Sequence, residues 1–116
     1  MGRAPVYSSK GRSVVHETFI ARWYGGNRSP SSGASAKDAG DVRTPTHLIE
    51  CKQTGEMDKP KKSYSLKLSE MEKIVDEAYQ EGLTPALAIR IYNPNSVLSD
   101  KDGNVDLIVR RVVDEA

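Results

Sequence analysis

The segment His47–Thr54, HLIECKQT, constrains this chain more than any other. Leu48, Ile49 and Cys51 mark it as a strand inside a sheet, yet Glu50 and Lys52 sit among them. Side chains alternate between the two faces of a strand. Leu48, Glu50, Lys52 and Thr54 therefore share one face, and His47, Ile49, Cys51 and Gln53 the other. Charges carried into a central strand need partners or a metal ion, because an unpaired buried charge is costly. The residues just before read as a short strand, Asp41 to Thr44, and a turn at Pro45-Thr46. That hairpin brings Asp41 near Glu50. Two neighbouring carboxylates repel unless a divalent cation lies between them, and hard oxygen ligands suit Mg2+ or Mn2+. Asp41 and Glu50 are thus the candidate metal ligands, with the Cys51 carbonyl as a third oxygen. Lys52 shares the Glu50 face, where an ammonium orients water and offsets charge developing on a phosphate. The plain alternative is a surface strand with an i, i+2 Glu–Lys pair. The apolar neighbours weigh against it.

Elsewhere the pattern alternates between helix and strand. A helix is expected over Gly11–Tyr24. Val15, Phe19 and Trp23 repeat every four residues along one face, widened by Val14, Ile20 and Ala21. Ser9 is a candidate N-cap, and Gly25-Gly26 a stop. Residues 25–40 form a flexible Gly/Ser/Ala-rich loop, with a short strand near Asn27–Ser29. So long a connector is either functional or mobile. Residues 55–65 form another loop, carrying Lys59, Lys61 and Lys62. A second helix follows, opened by a capping box of Ser69 and Glu72 and closed at Gly82. Its stripe is Met71, Ile74, Val75, Ala78 and Tyr79. Pro85–Tyr92 reads as a buried strand and Val105–Val113 as a last one. The order gives one α/β domain, residues 1–116, with a small mixed central sheet flanked by helices and a frayed start over residues 1–8.

The formal net charge of +1 over 116 residues argues at first against a polyanionic partner. Its distribution does not. Residues 1–40 carry six Lys/Arg against Glu17 and Asp38, whereas residues 41–116 carry eleven against fourteen acids. There is no run of eighteen apolar residues, so no membrane-spanning helix is expected. The first ten residues lack the apolar core of a secretory signal. A lone cysteine, Cys51, cannot form an internal disulfide, which points to a reducing, cytoplasmic compartment.

Asp41…Glu50-Cys51-Lys52 on a hairpin resembles the signature of the PD-(D/E)xK nucleases, with Gly40 where the conventional proline stands. Within that superfamily, SKGRSVVHE (Ser9–Glu17), the Ser/Gly loop, GDV and IECK look most like the small archaeal- and phage-type Holliday junction resolvases. The resemblance covers residues 9–92. It implies a restriction-endonuclease-like core and a Mg2+-dependent homodimer that cuts four-way DNA junctions. It implies a cytoplasmic setting in a prokaryotic or phage-infected cell. It makes Glu17, after the Gly11-Arg12 pair, an assistant to metal or water, the alternative being a solvated helix glutamate. It makes Ser31 and Ser32 contacts to the junction. Lys10, Arg12, Arg28, Lys37, Lys61 and Lys62 are the further candidate DNA contacts. Related nucleases that cut flaps, single strands or duplexes share this core, as would a catalytically silent DNA-binding relative.

Overall fold

The computed structural model describes residues 9–29 and 41–115. The first helix, α1, spans Ser9–Tyr24, so Ser9, expected as its cap, is its first residue. Gly25 and Gly26 end it: their N–H groups donate back to the carbonyls of Arg22 and Ala21. The short strand β1, Asn27–Arg28, follows as expected. Then come β2, Val42–Arg43; β3, His47–Thr54; helix α2, Leu68–Gln80; β4, Thr84–Tyr92; and β5, Asn104–Val109. The sheet order is β1-β2-β3-β4-β5. Only β3 and β4 are parallel, with α2 as their crossover, and every other neighbouring pair is antiparallel. The expected mixed α/β architecture is the one found.

Each helix covers a different face of the sheet. Leu48 and Leu87 pack with Met71, Ile74 and Ala78 of α2. Ile49, Ala86 and Ala88 pack with Ile20 and Ala21 of α1. Pro85–Arg90 is therefore buried throughout, and β4 reads as a continuous apolar run rather than an alternating one. Among the described residues no helix is long and apolar enough to cross a membrane.

Five boundaries or faces differ from expectation. On α1 the anticipated face is turned outward: Val15, Phe19 and Trp23 are 43, 40 and 74% exposed. The buried side carries His16, Glu17, Ile20 and Ala21. Apolar residues lie nearly all round α1, so periodicity does not select a face, and the small Gly11 and Ala21 let the helix approach closely. α2 begins before Ser69. Lys67 is its N-cap, and the Glu70 carboxylate, rather than that of Glu72, accepts the Lys67 N–H at 3.1 Å. Its Tyr79, expected in the core, is half-exposed and bonded to Asp114 and Arg111. β2 is two residues long, but flanking bonds extend the hairpin: Asp41 N–H to Ile49 O at 2.9 Å and Thr44 N–H to His47 O at 3.0 Å. β5 stops at Val109, and Val112–Asp114 forms a 3-10 turn instead. Continuing the β4–β5 register would set Arg111 opposite Pro85, which has no N–H to offer.

Candidate active site

The hairpin register pairs Val42 with Ile49 and Arg43 with Leu48. Before Val42 the Asp41 N–H bonds the Ile49 carbonyl, and Asp41 lies close enough to Glu50 for its charge to raise that carboxyl. There β2 has ended, and among the described residues no strand covers this part of the β3 edge. Asp41 takes the place of the missing strand: its Oδ2 accepts the Cys51 N–H at 2.8 Å. In a strand the N–H and C=O of one residue point the same way. The Cys51 carbonyl thus faces the edge where the Asp41 carboxylate lies. The Asp41 carboxylate and the Cys51 carbonyl share that edge, with Glu50 near enough to feel the Asp41 charge.

Glu50 is largely buried there. Burial, and then the negative Asp41, push its carboxyl up to about 7, against the pull of Lys52 and Lys73. Lys52 Nζ stands 3.6 Å from Glu50 Oε2 and 3.7 Å from Glu70 Oε2. Glu70 belongs to α2, and no motif in the sequence points to it. Its role depends on the crossover that lays the first turn of α2 beside β3. Tyr64 is a second such residue, its hydroxyl donating to Glu70 Oε2 at 2.8 Å. Burial and the Glu70 hydrogen bond raise the Tyr64 hydroxyl to about 12, so it remains a donor. That bond, the Lys67 N–H and the Lys52 charge hold Glu70 below the ordinary carboxylate range. Lys52 is therefore gripped between two acids, one on its own strand and one on the helix above.

Cys51 points to the other face and packs against the α1 cluster. Burial and the surrounding Asp41, Glu17 and Glu50 carboxylates push its thiol well up, which leaves it protonated and non-nucleophilic. Glu17 is buried on that α1 side rather than solvated, and its Oε1 accepts from Arg28 Nε at 2.9 Å. Beside it, His16 is 1% exposed, with Nε2 lacking a hydrogen-bond partner and 3.8 Å from Asp106 Oδ1. Burial and then Arg90 lower its imidazole to about 4, so it is neutral near pH 7.

The candidate DNA contacts divide. Arg28 is engaged by Glu17. Arg12 Nη1 is 3.9 Å from Glu56, and Arg12, Lys59 and Lys61 line one cleft at the end of β3. Lys62 is exposed next to them. The side chain of Lys10, and Ser31, Ser32 and Lys37 with most of the Ser/Gly loop, lie outside the described residues, as do residues 1–8.

A divalent cation fits the site on one structural ground: two carboxylates are held together, one of them buried, with a backbone carbonyl beside them. Among the described residues no three His, Cys, Asp or Glu side chains group tightly enough to hold a metal by themselves. The carbonyl and water would have to complete any shell. Comparisons of the chain with models of protein families, with curated proteins and with solved structures yield no match.

Proposed function

We propose that this chain is a Mg2+-dependent DNA endonuclease built on a PD-(D/E)xK-type core, acting on four-way junctions as a homodimer. The observation that carries the reading is the meeting of Asp41, Glu50 and Lys52 at the open edge of β3. The Cys51 N–H fixes Asp41 at 2.8 Å, and Glu50 lies within 3.6 Å of Lys52. Residues nine apart in sequence come close here because the hairpin folds them together, which a surface Glu–Lys pair would not require.

In this reading Asp41, Glu50 and the Cys51 carbonyl hold the cation. Bound Mg2+ supplies the Lewis acid and makes a nearby water more acidic. Lys52 donates to that water or to a phosphate oxygen, in a partly water-excluded place where such a donor counts for more. Glu50 and Glu70 hold its ammonium in place. Glu17, buried on the α1 side and bound to Arg28, is the residue that would assist the metal or water from that side. Resolution of a junction needs two symmetric cuts, and one chain of this size offers one such site, hence the homodimer.

The test is a labelled four-way junction incubated with and without Mg2+. Symmetric nicks that require the metal, and that vanish in Lys52→Ala, Glu50→Gln and Asp41→Asn while junction binding persists, are the expected result. Undiminished cleavage in the three variants would refute the site. Equal binding to junction and linear duplex would refute the junction preference alone.

A further inference from the structure

At the carboxyl ends of the two parallel strands, on the α1 side of the sheet, lies a hollow of about 380 Å3. That is a size common to small-ligand sites. Val15, Met57 and Tyr92 supply its apolar wall, and Gln53, Arg90 and Asn104 its polar groups. It shares the Arg12 and Gln53–Glu56 wall with a second cleft of about 310 Å3, which adds Lys59 and Lys61.

Two close backbone approaches build this hollow. Gly55 has φ +90°, and a Cβ there would stand 2.7 Å from the Tyr92 carbonyl oxygen. Gly103 has φ +86°, and its Cβ would stand 2.8 Å from Tyr92 Cε1. Only glycine lets both loops close on Tyr92 in this way. The floor is rigid too, since Arg90 Nε and Nη2 bind the Asp106 carboxylate at 2.8 and 3.0 Å. Gln53 Nε2 donates to Ser13 Oγ at 3.0 Å, which leaves its amide oxygen as an acceptor.

The charges are arranged unevenly. Lys59 and Lys61 belong to the open cleft alone and Asp58 and Asp102 to the hollow alone, while Arg12 and Glu56 border both. Arg12 lies 3.9 Å from Glu56, and Lys101 lies 3.1 Å from Asp102. Those acids oppose a phosphate inside the hollow and tolerate a neutral ring that donates and accepts hydrogen bonds. An anionic group at one end and a neutral planar heterocycle at the other describe a nucleotide.

We propose that the hollow receives the base of one unpaired nucleotide in a bound DNA strand, with the adjoining phosphate at Lys59, Lys61 and Arg12. The proposal rests on the nuclease reading and sharpens its substrate class. Gln53 faces the hollow and Lys52 the opposite side of β3, so a bound strand would pass over the carboxyl end of β3 to reach both. Junction centres, gaps and flaps offer such a base, and a perfect duplex does not.

The probe is a seven-nucleotide single strand carrying a central 2-aminopurine, added to the full chain without divalent metal. Polarisation reads strand binding, and the 2-aminopurine emission reads the surroundings of the base. The expected result is an emission change that saturates with binding. Val15→Trp, which fills the hollow from an exposed helix position, and Asn104→Ala should each abolish that change and weaken binding by about tenfold, the scale of one stacked base. Strand binding with unchanged emission, no strand binding at all, or full retention of both signals in the two variants would overturn the proposal. So would free deoxyadenosine monophosphate binding as tightly as the strand, since the hollow would then serve a small molecule. A wild-type chain that fills the hollow but cuts no DNA with Mg2+ would sink the nuclease reading and spare the hollow. Metal-dependent cutting unaffected by Val15→Trp would do the reverse.

Discussion

Replacing Glu50 by Gln should make the metal-free protein more stable at pH 8, although it removes a residue the site needs. Burial and the neighbouring Asp41 raise the Glu50 carboxyl from 4.5 to about 7. A carboxyl that binds its proton more tightly folded than unfolded favours the folded state at low pH. That contribution is complete below about 4.5 and is lost as pH climbs through about 7. At about 1.4 kcal/mol per pH unit, the loss approaches about 3 kcal/mol. Gln is neutral throughout and escapes it. His16 titrates in the opposite sense. Its imidazole is lowered from 6.5 to about 4, so its contribution is present above 6.5 and is lost as pH falls toward 4. The two effects largely offset each other in the wild type, and Glu50→Gln should expose the acid sensitivity of His16. The assay is urea unfolding of both proteins at pH 4.5 and pH 8, with chelator. Taking the difference between the two proteins cancels every group they share. That difference should be near zero at pH 4.5 and about 3 kcal/mol in favour of Gln at pH 8, or roughly 10 °C in midpoint temperature. Added Mg2+ should stabilise the wild type at pH 8 and narrow the gap. A difference that does not change with pH would refute the claim that Glu50 is buried against Asp41.

Four further outcomes follow from the packing. Gly55→Ala should cost roughly 1–3 kcal/mol in urea unfolding, because an L residue at this φ is strained and its Cβ meets the Tyr92 carbonyl. Ile20→Ala, at a fully buried position, should cost about 2–5 kcal/mol. Trp23→Ala on the outer side of the same helix should stay within about 0.5 kcal/mol, and a larger loss would show that the outward face is packed after all. Glu70→Gln removes one of the two charges holding Lys52. It should lower cleavage while leaving DNA binding unchanged, and equal cleavage by the variant would show that Glu50 alone positions the lysine.

Local pattern alone determined much of this protein. The alternation in HLIECKQT assigned Leu48 and Ile49 to opposite faces, and the structure packs them against different helices. Strand period is a property of the backbone, so no tertiary information is needed to read it. The stops at Gly25 and Gly82, the buried run of β4 and the nearness of Asp41 to Glu50 were legible for similar reasons. Each depends on residues close in sequence or on one hairpin.

Tertiary structure decided the rest. α1 bears apolar side chains on several sides, so only its docking on the sheet chose Ile20 and Ala21 over Phe19 and Trp23. The end of β5 depends on Pro85, a residue of its partner strand. Glu70 and Tyr64 come to Lys52 from the far side of a loop and a crossover, through contacts that no spacing encodes. The hollow beside Tyr92 exists because Gly55 and Gly103, forty-eight positions apart, let two loops close on that one residue, one on its backbone and one on its ring. Sequence period tells which way a side chain points from its own backbone. What it meets there is set by where the chain returns.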